Sequence, residues 1–242
     1  MKIIISPSKT QSFANITKRT DISLRKETFN LYSIIKGFSK DKLGKLLKIK
    51  GKLLDDTYNN YHLDFSEKPI GYAINSYTGV VFEQIQLNDY NESQLQYMYD
   101  KLRILSAMYG VLSPKEVIFP YRLDMTVKIP KINLYDFWQE TTEAYFSNEL
   151  LVINLASNEF SKMLKNYHER IINIEFYEES KDKGLKVVSY NAKKCRGQML
   201  NFLIKNKVED ISKIKEFVFE GYIYSENLSS EDKFIFVRKI DC

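Results

Sequence analysis

Apolar residues in this chain fall in short blocks of two kinds, brief aliphatic runs and stripes at helical spacing, and the two kinds do not alternate regularly. Runs such as Ile3-Ile4-Ile5 read as buried strands, and apolar residues recurring at steps of three and four read as amphipathic helices. Steady strand–helix alternation would call for a doubly wound parallel sheet. Its absence points to α+β: one domain with a central mixed β-sheet flanked by helices. No window approaches the roughly 18 apolar residues of a membrane-spanning helix. The run before Pro7 is too short for a signal-peptide core.

The pattern places a strand at Ile3–Ile5, a helix from Ser23 to about Phe38, and a second helix capped by Ser39 and interrupted at Gly51. Ile70–Ile74 reads as a strand leading to Tyr77. Ser93 and Gln96 have capping-box spacing. Leu95, Met98, Leu102, Leu105 and Tyr109 then trace one helical stripe that Gly110 would end. Phe119–Met125 reads as extended. Beyond it lie a helix over Asp136–Asn148, strands over Leu150–Leu155, Ile171–Tyr177 and Leu185–Tyr190, and a helix over Ala192–Lys205. Strands near Phe217–Tyr224 and Phe234–Arg238 complete the order. The 242 residues contain no repeat or flexible linker, so 1–242 reads as one domain with 21–65 as a candidate helical subdomain.

Cys195 and Cys242 are the only cysteines, which makes neither a disulfide framework nor a zinc pair. His62 and His168 have no second histidine nearby, and His62-Leu63-Asp64 is the nearest approach to a metal pair. No metal site and no cofactor are expected, and the chain reads as cytoplasmic, without a membrane partner.

Charge is informative by position rather than by total. Lys and Arg number 36 against 31 acids, a surplus of +5. From Lys36 to Lys52, seven lysines stand against the single acid Asp41, a local surplus of +6. Lys45, Lys48, Lys50, Gly51 and Lys52 lie where a helix, a short hairpin and another helix are expected, within 39–63. Hairpin amides and a helix N-terminus can hold a DNA phosphate without reading bases. The usual hairpin has two glycines around an apolar residue, whereas only Gly51 is present; a solvated lysine face is the competing reading.

A second basic cluster is Lys193, Lys194 and Arg196. With Asn191 as N-cap, these cations would occupy a helix's first turn, where each is disfavoured by about 0.3–1 kcal/mol. A bound anion would relieve that conflict, and close approach of another backbone would explain Gly197 inside the helix. A solvated basic turn is the alternative.

Ser6-Pro7-Ser8-Lys9-Thr10 follows a strand, a common place for ligand contacts. It lacks P-loop glycines, and Ser6-x-x-Lys9 lacks the companion motifs of the acyl-enzyme Ser-x-x-Lys pattern. Arg122 and Asp124 share a face if their segment is extended; they either pair, or Arg122 meets a ligand. No recognisable catalytic motif emerges, so the chain leans away from an enzyme.

Taken together, Ile5-Ser6-Pro7-Ser8-Lys9-Thr10, Tyr77-Thr78-Gly79, the segment from Leu105 to Pro114, Pro120-Tyr121-Arg122-Leu123-Asp124-Met125, Leu134-Tyr135-Asp136-Phe137-Trp138, Val152-Ile153-Asn154-Leu155-Ala156-Ser157, Ala192-Lys193-Lys194-Cys195-Arg196-Gly197, Glu220-Gly221-Tyr222 and Phe236-Val237-Arg238 form a series. In this order and spacing the chain resembles the YaaA-like peroxide stress proteins over essentially its whole length. The resemblance implies an α+β domain round a central sheet with a helix-hairpin-helix element. It further implies resistance to hydrogen peroxide through lower free intracellular iron and less oxidative DNA damage, DNA binding, and no settled reaction. The family's lysine-rich motif falls on Lys193, Lys194 and Arg196, and its N-terminal signature on Ser6, Lys9 and Thr10. Before Tyr77 the family usually has glycine and an acid, where this chain has Ile74 and Asn75.

Two expectations follow. The first is a DNA-binding stress protein that contacts phosphates with little sequence specificity. The second is an enzyme or binder acting on a nucleotide or nucleobase, in a pocket drawn from Ser6, Lys9, Thr10, Tyr77, Arg103, Tyr121, Arg122, Asp124, Lys193 and Gly197. It requires these distant segments to meet in one concave site.

Overall fold

A computed structural model describes residues 1–13, 24–182 and 184–240. Ser23, the start of the 21–65 stretch, Cys242 and the side chain of His168 lie outside the described residues. In chain order come β1 (Lys2–Ile5), β2 (Thr10–Gln11), α1 (Lys26–Lys36), α2 (Lys40–Leu47), α3 (Lys52–His62), β3 (Gly71–Tyr72), α4 (Ala73–Ser76) and β4 (Tyr77–Thr78). Next are α5 (Glu92–Lys101), β5 (Leu102–Ser106), β6 (Gly110–Leu112), β7 (Val117–Ile118), α6 (Leu134–Phe146), β8 (Val152–Asn154) and α7 (Asn158–Ser161). The chain finishes with β9 (Ile171–Ser180), β10 (Gly184–Lys186), α8 (Ser189–Lys205), β11 (Ile223–Tyr224) and β12 (Lys233–Lys239).

The protein is a single-domain α+β fold around a mixed eight-stranded sheet in the order β11-β12-β9-β8-β1-β5-β6, with β10 also paired to β9. The strands from β12 to β5 run parallel, and β11, β6 and β10 add antiparallel pairs. β1 sits in the middle, with Ile4 opposite both Arg103 and Asn154. Ile3, Ile4 and Ile5 are wholly buried. An unbroken β-branched run suits a parallel strand covered on both faces.

The starts of α2, α5 and α6 are set by capping side chains. Ser39 caps α2 by accepting from the Lys42 amide, and Asn133 caps α6 by accepting from the Tyr135 amide at 3.0 Å. The capping box of α5 is formed by Asn91 and Gln94 rather than by Ser93 and Gln96. Ser93 Oγ instead donates to Asn91 Oδ1.

Several expected elements differ. The stripe read as one helix through Tyr109 is split: α5 stops at Lys101, Leu102–Ser106 is a fully buried strand beside β1, and Gly110 opens β6. Ile70–Ile74 holds only the two-residue β3 before α4 begins. The strand expected over Leu185–Tyr190 ends at Lys186, because α8 starts at Ser189. Phe119–Met125 belongs to no strand or helix, and the strand near 217–224 shrinks to β11.

Candidate functional site

β1 and β8 are parallel neighbours, so the loops that leave their carboxyl ends emerge side by side. Loop crevices at such ends are where open α/β sheets place ligands. The two loops are tied together: Ser6 Oγ donates to Ser157 Oγ at 3.2 Å and accepts from the Ser157 amide at 2.8 Å. Asn154 Oδ1 accepts from the Ala156 amide, which tightens the second loop.

A cavity of about 530 Å³ opens over these loops. Its walls come from Ser6–Lys9 and Gln11, the Gly79–Phe82 turn, Tyr121–Asp124, four residues between Leu155 and Phe160 and two side chains of α8. Six of the expected pocket residues meet there: Ser6, Lys9, Tyr121, Arg122, Asp124 and Lys193, joined by Arg196. Asp124 does not pair with Arg122; it holds Lys9 Nζ at 2.7 Å. Arg122 Nη1 instead reaches the Lys9 carbonyl at 3.5 Å, so the segment after β1 is strapped to residues 122–124.

The remaining expected residues lie elsewhere. Thr10 donates to the Thr78 carbonyl and lines a neighbouring cavity. Tyr77 is buried behind the wall, sharing a 2.7 Å hydrogen bond with Tyr121, whose hydroxyl also meets Ser106 at 2.8 Å. Burial raises the pKa of both tyrosines, so both stay neutral. Arg103 is in β5, not on a helix, and bonds Tyr145 Oη and the Tyr99 carbonyl away from the cavity. Lys194 turns from the cavity to pair with Glu220 and lie over the Phe219 ring.

The premise for a first-turn anion site is corrected. α8 begins at Ser189, so Lys193, Lys194 and Arg196 occupy its second turn. Asn191 does not cap it; its Nδ2 donates to Glu178 Oε1 at 2.6 Å. Arg196 is instead distinguished by burial: Nε is out of solvent with no hydrogen-bond partner among the described residues. Burial also lowers the Arg196 pKa, against the opposing pull of Glu175. The expected close approach at Gly197 is present, since a Cβ there would stand 2.4 Å from the Val81 carbonyl oxygen.

Sequence reading missed Phe82, Ser157, Glu159 and Phe160. Ser157 ends a strand–loop segment and had that signal. Glu159, which accepts from the Met125 amide at 3.0 Å, had none.

A second cavity, of about 400 Å³, shares Lys9, Gln11, Tyr121 and Arg122 with the first. Its far wall is α3, from Leu53 to Asn60. Just before that wall, residues 48–51 connect α2 to α3. Lys48 is left-handed at φ +55° and Gly51 caps α3 at φ +58°, a conformation glycine adopts without a Cβ penalty. Lys45, Lys48, Lys50, Gly51 and Lys52 are exposed, and none of these lysines is in an ion pair among the described residues. His62 Nδ1 lies 2.9 Å from the Tyr58 carbonyl, and its ring stacks on Tyr58. Ile74 is buried and Asn75 exposed on α4; neither lines either of these two cavities. Burial pushes the Cys195 thiol up to about 12, far from the thiolate that reacts with oxidants.

Fold and site together define a mixed-sheet α+β protein with a basic, aromatic-walled cleft at the carboxyl ends of central parallel strands. The family model described as "Peroxide stress protein YaaA" matches residues 1–228. The chain belongs to that family. It is 38% identical to a UPF0246 protein of Fusobacterium nucleatum over 248 residues, covering 99% of each chain. UPF0246 proteins of Crocosphaera subtropica and Finegoldia magna are each 36% identical, covering 98% and 99% of this chain and 100% and 99% of theirs. No helix among the described residues is long and apolar enough to cross a membrane.

Proposed function

We propose that the protein is a cytoplasmic DNA-binding protein of the peroxide stress response. It grips the duplex backbone with little sequence specificity, limits oxidative DNA damage and is linked to a lower pool of free intracellular iron. Membership of a peroxide stress family supports the physiological setting. The observation that carries DNA binding is the α2–α3 connection, where Lys45, Lys48, Lys50 and Lys52 surround the Gly51 cap without acidic partners among the described residues. Lysines of this kind displace counterions from phosphates, so log affinity falls with log salt by about 0.9 per phosphate contacted.

Titration of duplex DNA at several salt concentrations tests the reading. The triple change Lys48→Ala, Lys50→Ala, Lys52→Ala is expected to flatten the slope by roughly 2.7, for three lost contacts. Binding that ignores salt, or that survives neutralising both this turn and Lys193/Lys194/Arg196, rejects it.

A second reading is favoured by the convergence of Ser6, Lys9, Tyr121, Arg122, Asp124 and Lys193 on one cavity. In it the protein binds or acts on a nucleotide or nucleobase. Mononucleotides are then expected to raise the melting temperature, and Lys193→Ala to reduce the rise. No shift with any nucleotide would count against it.

A further inference from the structure

We infer that the lysine turn and the cavity are parts of one site, in which an unpaired nucleotide of the DNA held at the turn leaves the stack and enters the cavity. The inference rests on the DNA-binding reading above and adds what the cleft does within it.

Continuity is the first support. The second cavity starts at Leu53, one residue beyond Lys52, and runs along α3 to a wall it shares with the main cavity. Lys9, Gln11, Tyr121 and Arg122 face both spaces. A strand whose phosphates rest on the turn therefore has a lined path to the cleft. Arg122 stands along that path with a guanidinium in no ion pair among the described residues.

Scale and chemistry are the second. A cavity of about 530 Å³ is in the range of small-molecule sites, which suits one nucleotide and not a stacked duplex. Proteins that handle a single base of a duplex take it out of the stack, hold it between aromatic or apolar side chains and read its edge by hydrogen bonds. Phe82, Tyr121 and Phe160 supply rings in the walls. Asp124 and Glu159 supply acceptors for exocyclic amines, and Lys193 and Arg196 supply donors for a phosphate. Arg196 Nε is the third and independent support. Arg196 lines the cavity and is in no ion pair among the described residues, and its buried Nε has no acceptor among them.

A free mononucleotide offers the same groups. Continuity with the lysine turn favours a nucleotide still in its strand.

Photocrosslinking separates these cases. A duplex with one unpaired 5-iododeoxyuridine, and a fully paired control, are each bound to the full chain and irradiated, and the attached peptides are identified by mass spectrometry. Attachment at Phe82, Tyr121 or Phe160 with the unpaired duplex, several-fold above the control, is the expected result. Lys193→Ala and Arg196→Met are each expected to lower the crosslinked fraction of bound DNA several-fold. Attachment confined to residues 45–53 in both duplexes overturns the inference while leaving DNA binding intact. So does labelling of the cavity by free 5-iododeoxyuridine monophosphate but never by DNA. Failure to retain either duplex at any salt overturns the DNA-binding reading and this inference with it.

Discussion

Arg196 and Gly197 are neighbours on α8 with opposite tasks. The first carries a long cation into a place where its Nε finds no acceptor among the described residues, and the second removes a side chain so that the 79–84 turn can lie against the helix. In Gly197→Ala the new methyl would meet the Val81 carbonyl at 2.4 Å and Gln84 Cβ at 2.7 Å. A carbonyl in a packed turn cannot rotate aside as a side-chain tip does. Overpacking of this kind costs about 1–3 kcal/mol, so the urea midpoint is expected to drop. An unchanged midpoint would mean the turn moves freely. Lys68 makes a separate, pH-dependent prediction. It is 1% exposed, donates to the Asn60 carbonyl and lies over the Tyr32 and Phe65 rings. Burial, followed by repulsion from Lys36, pulls its pKa from 10.5 down to about 8. Below pH 8 folded and unfolded chains are both protonated and the folded state bears the full burial cost. Between about 8 and 10.5 only the unfolded chain holds the proton, so stability contributed at this site rises with pH. The stability deficit of wild type relative to Lys68→Met should therefore shrink from pH 7 to pH 10. A difference constant over that range refutes this.

At the scale of elements, α5 shows how a helix start is set locally and its end is not. Asn91 accepts from the Gln94 amide while Gln94 Oε1 accepts from the Asn91 amide. Asn91→Ala is expected to cost about 1 kcal/mol, measurable as a lower denaturant midpoint; a change within error would show the cap to be redundant. The end of α5 was not legible, because Leu102 and Leu105 fit a helical stripe as well as a strand buried on both faces. Periodicity cannot separate those cases. What decides is the pairing of Leu102–Ile104 with Ile3–Ile5, a hundred residues away. The start of α8 was hidden for a related reason: Glu178 on β9 occupies the Asn191 side chain that local reading would assign to the cap. By contrast, Ser39 announced α2 correctly, since a cap and its helix are neighbours in sequence. The cleft was legible where family-like segments end strands, as at Ser6 and Lys9. It was illegible at Glu159 and Phe82, which reach the cavity only through packing.

At the scale of the molecule, the sheet joins distant parts of the chain at its centre. β1 lies between β5 and β8, and the loops that leave β1 and β8 form the floor of the cleft. During synthesis, β1 therefore waits for its second partner until about 150 further residues have been made. At the usual 5–20 residues per second that is roughly 8–30 s. For that interval Ile3-Ile4-Ile5 is an aliphatic strand with at least one edge unsatisfied, the kind of segment chaperones shield. Protease resistance of nascent chains is expected to arrive in one step, after Val152–Asn154 are made; a resistant fragment ending near residue 100 would contradict this. A cell recovering from an oxidative burst would then have no partly working form of this protein to draw on, because the cleft is closed only once α8, which carries Lys193 and Arg196, has been made.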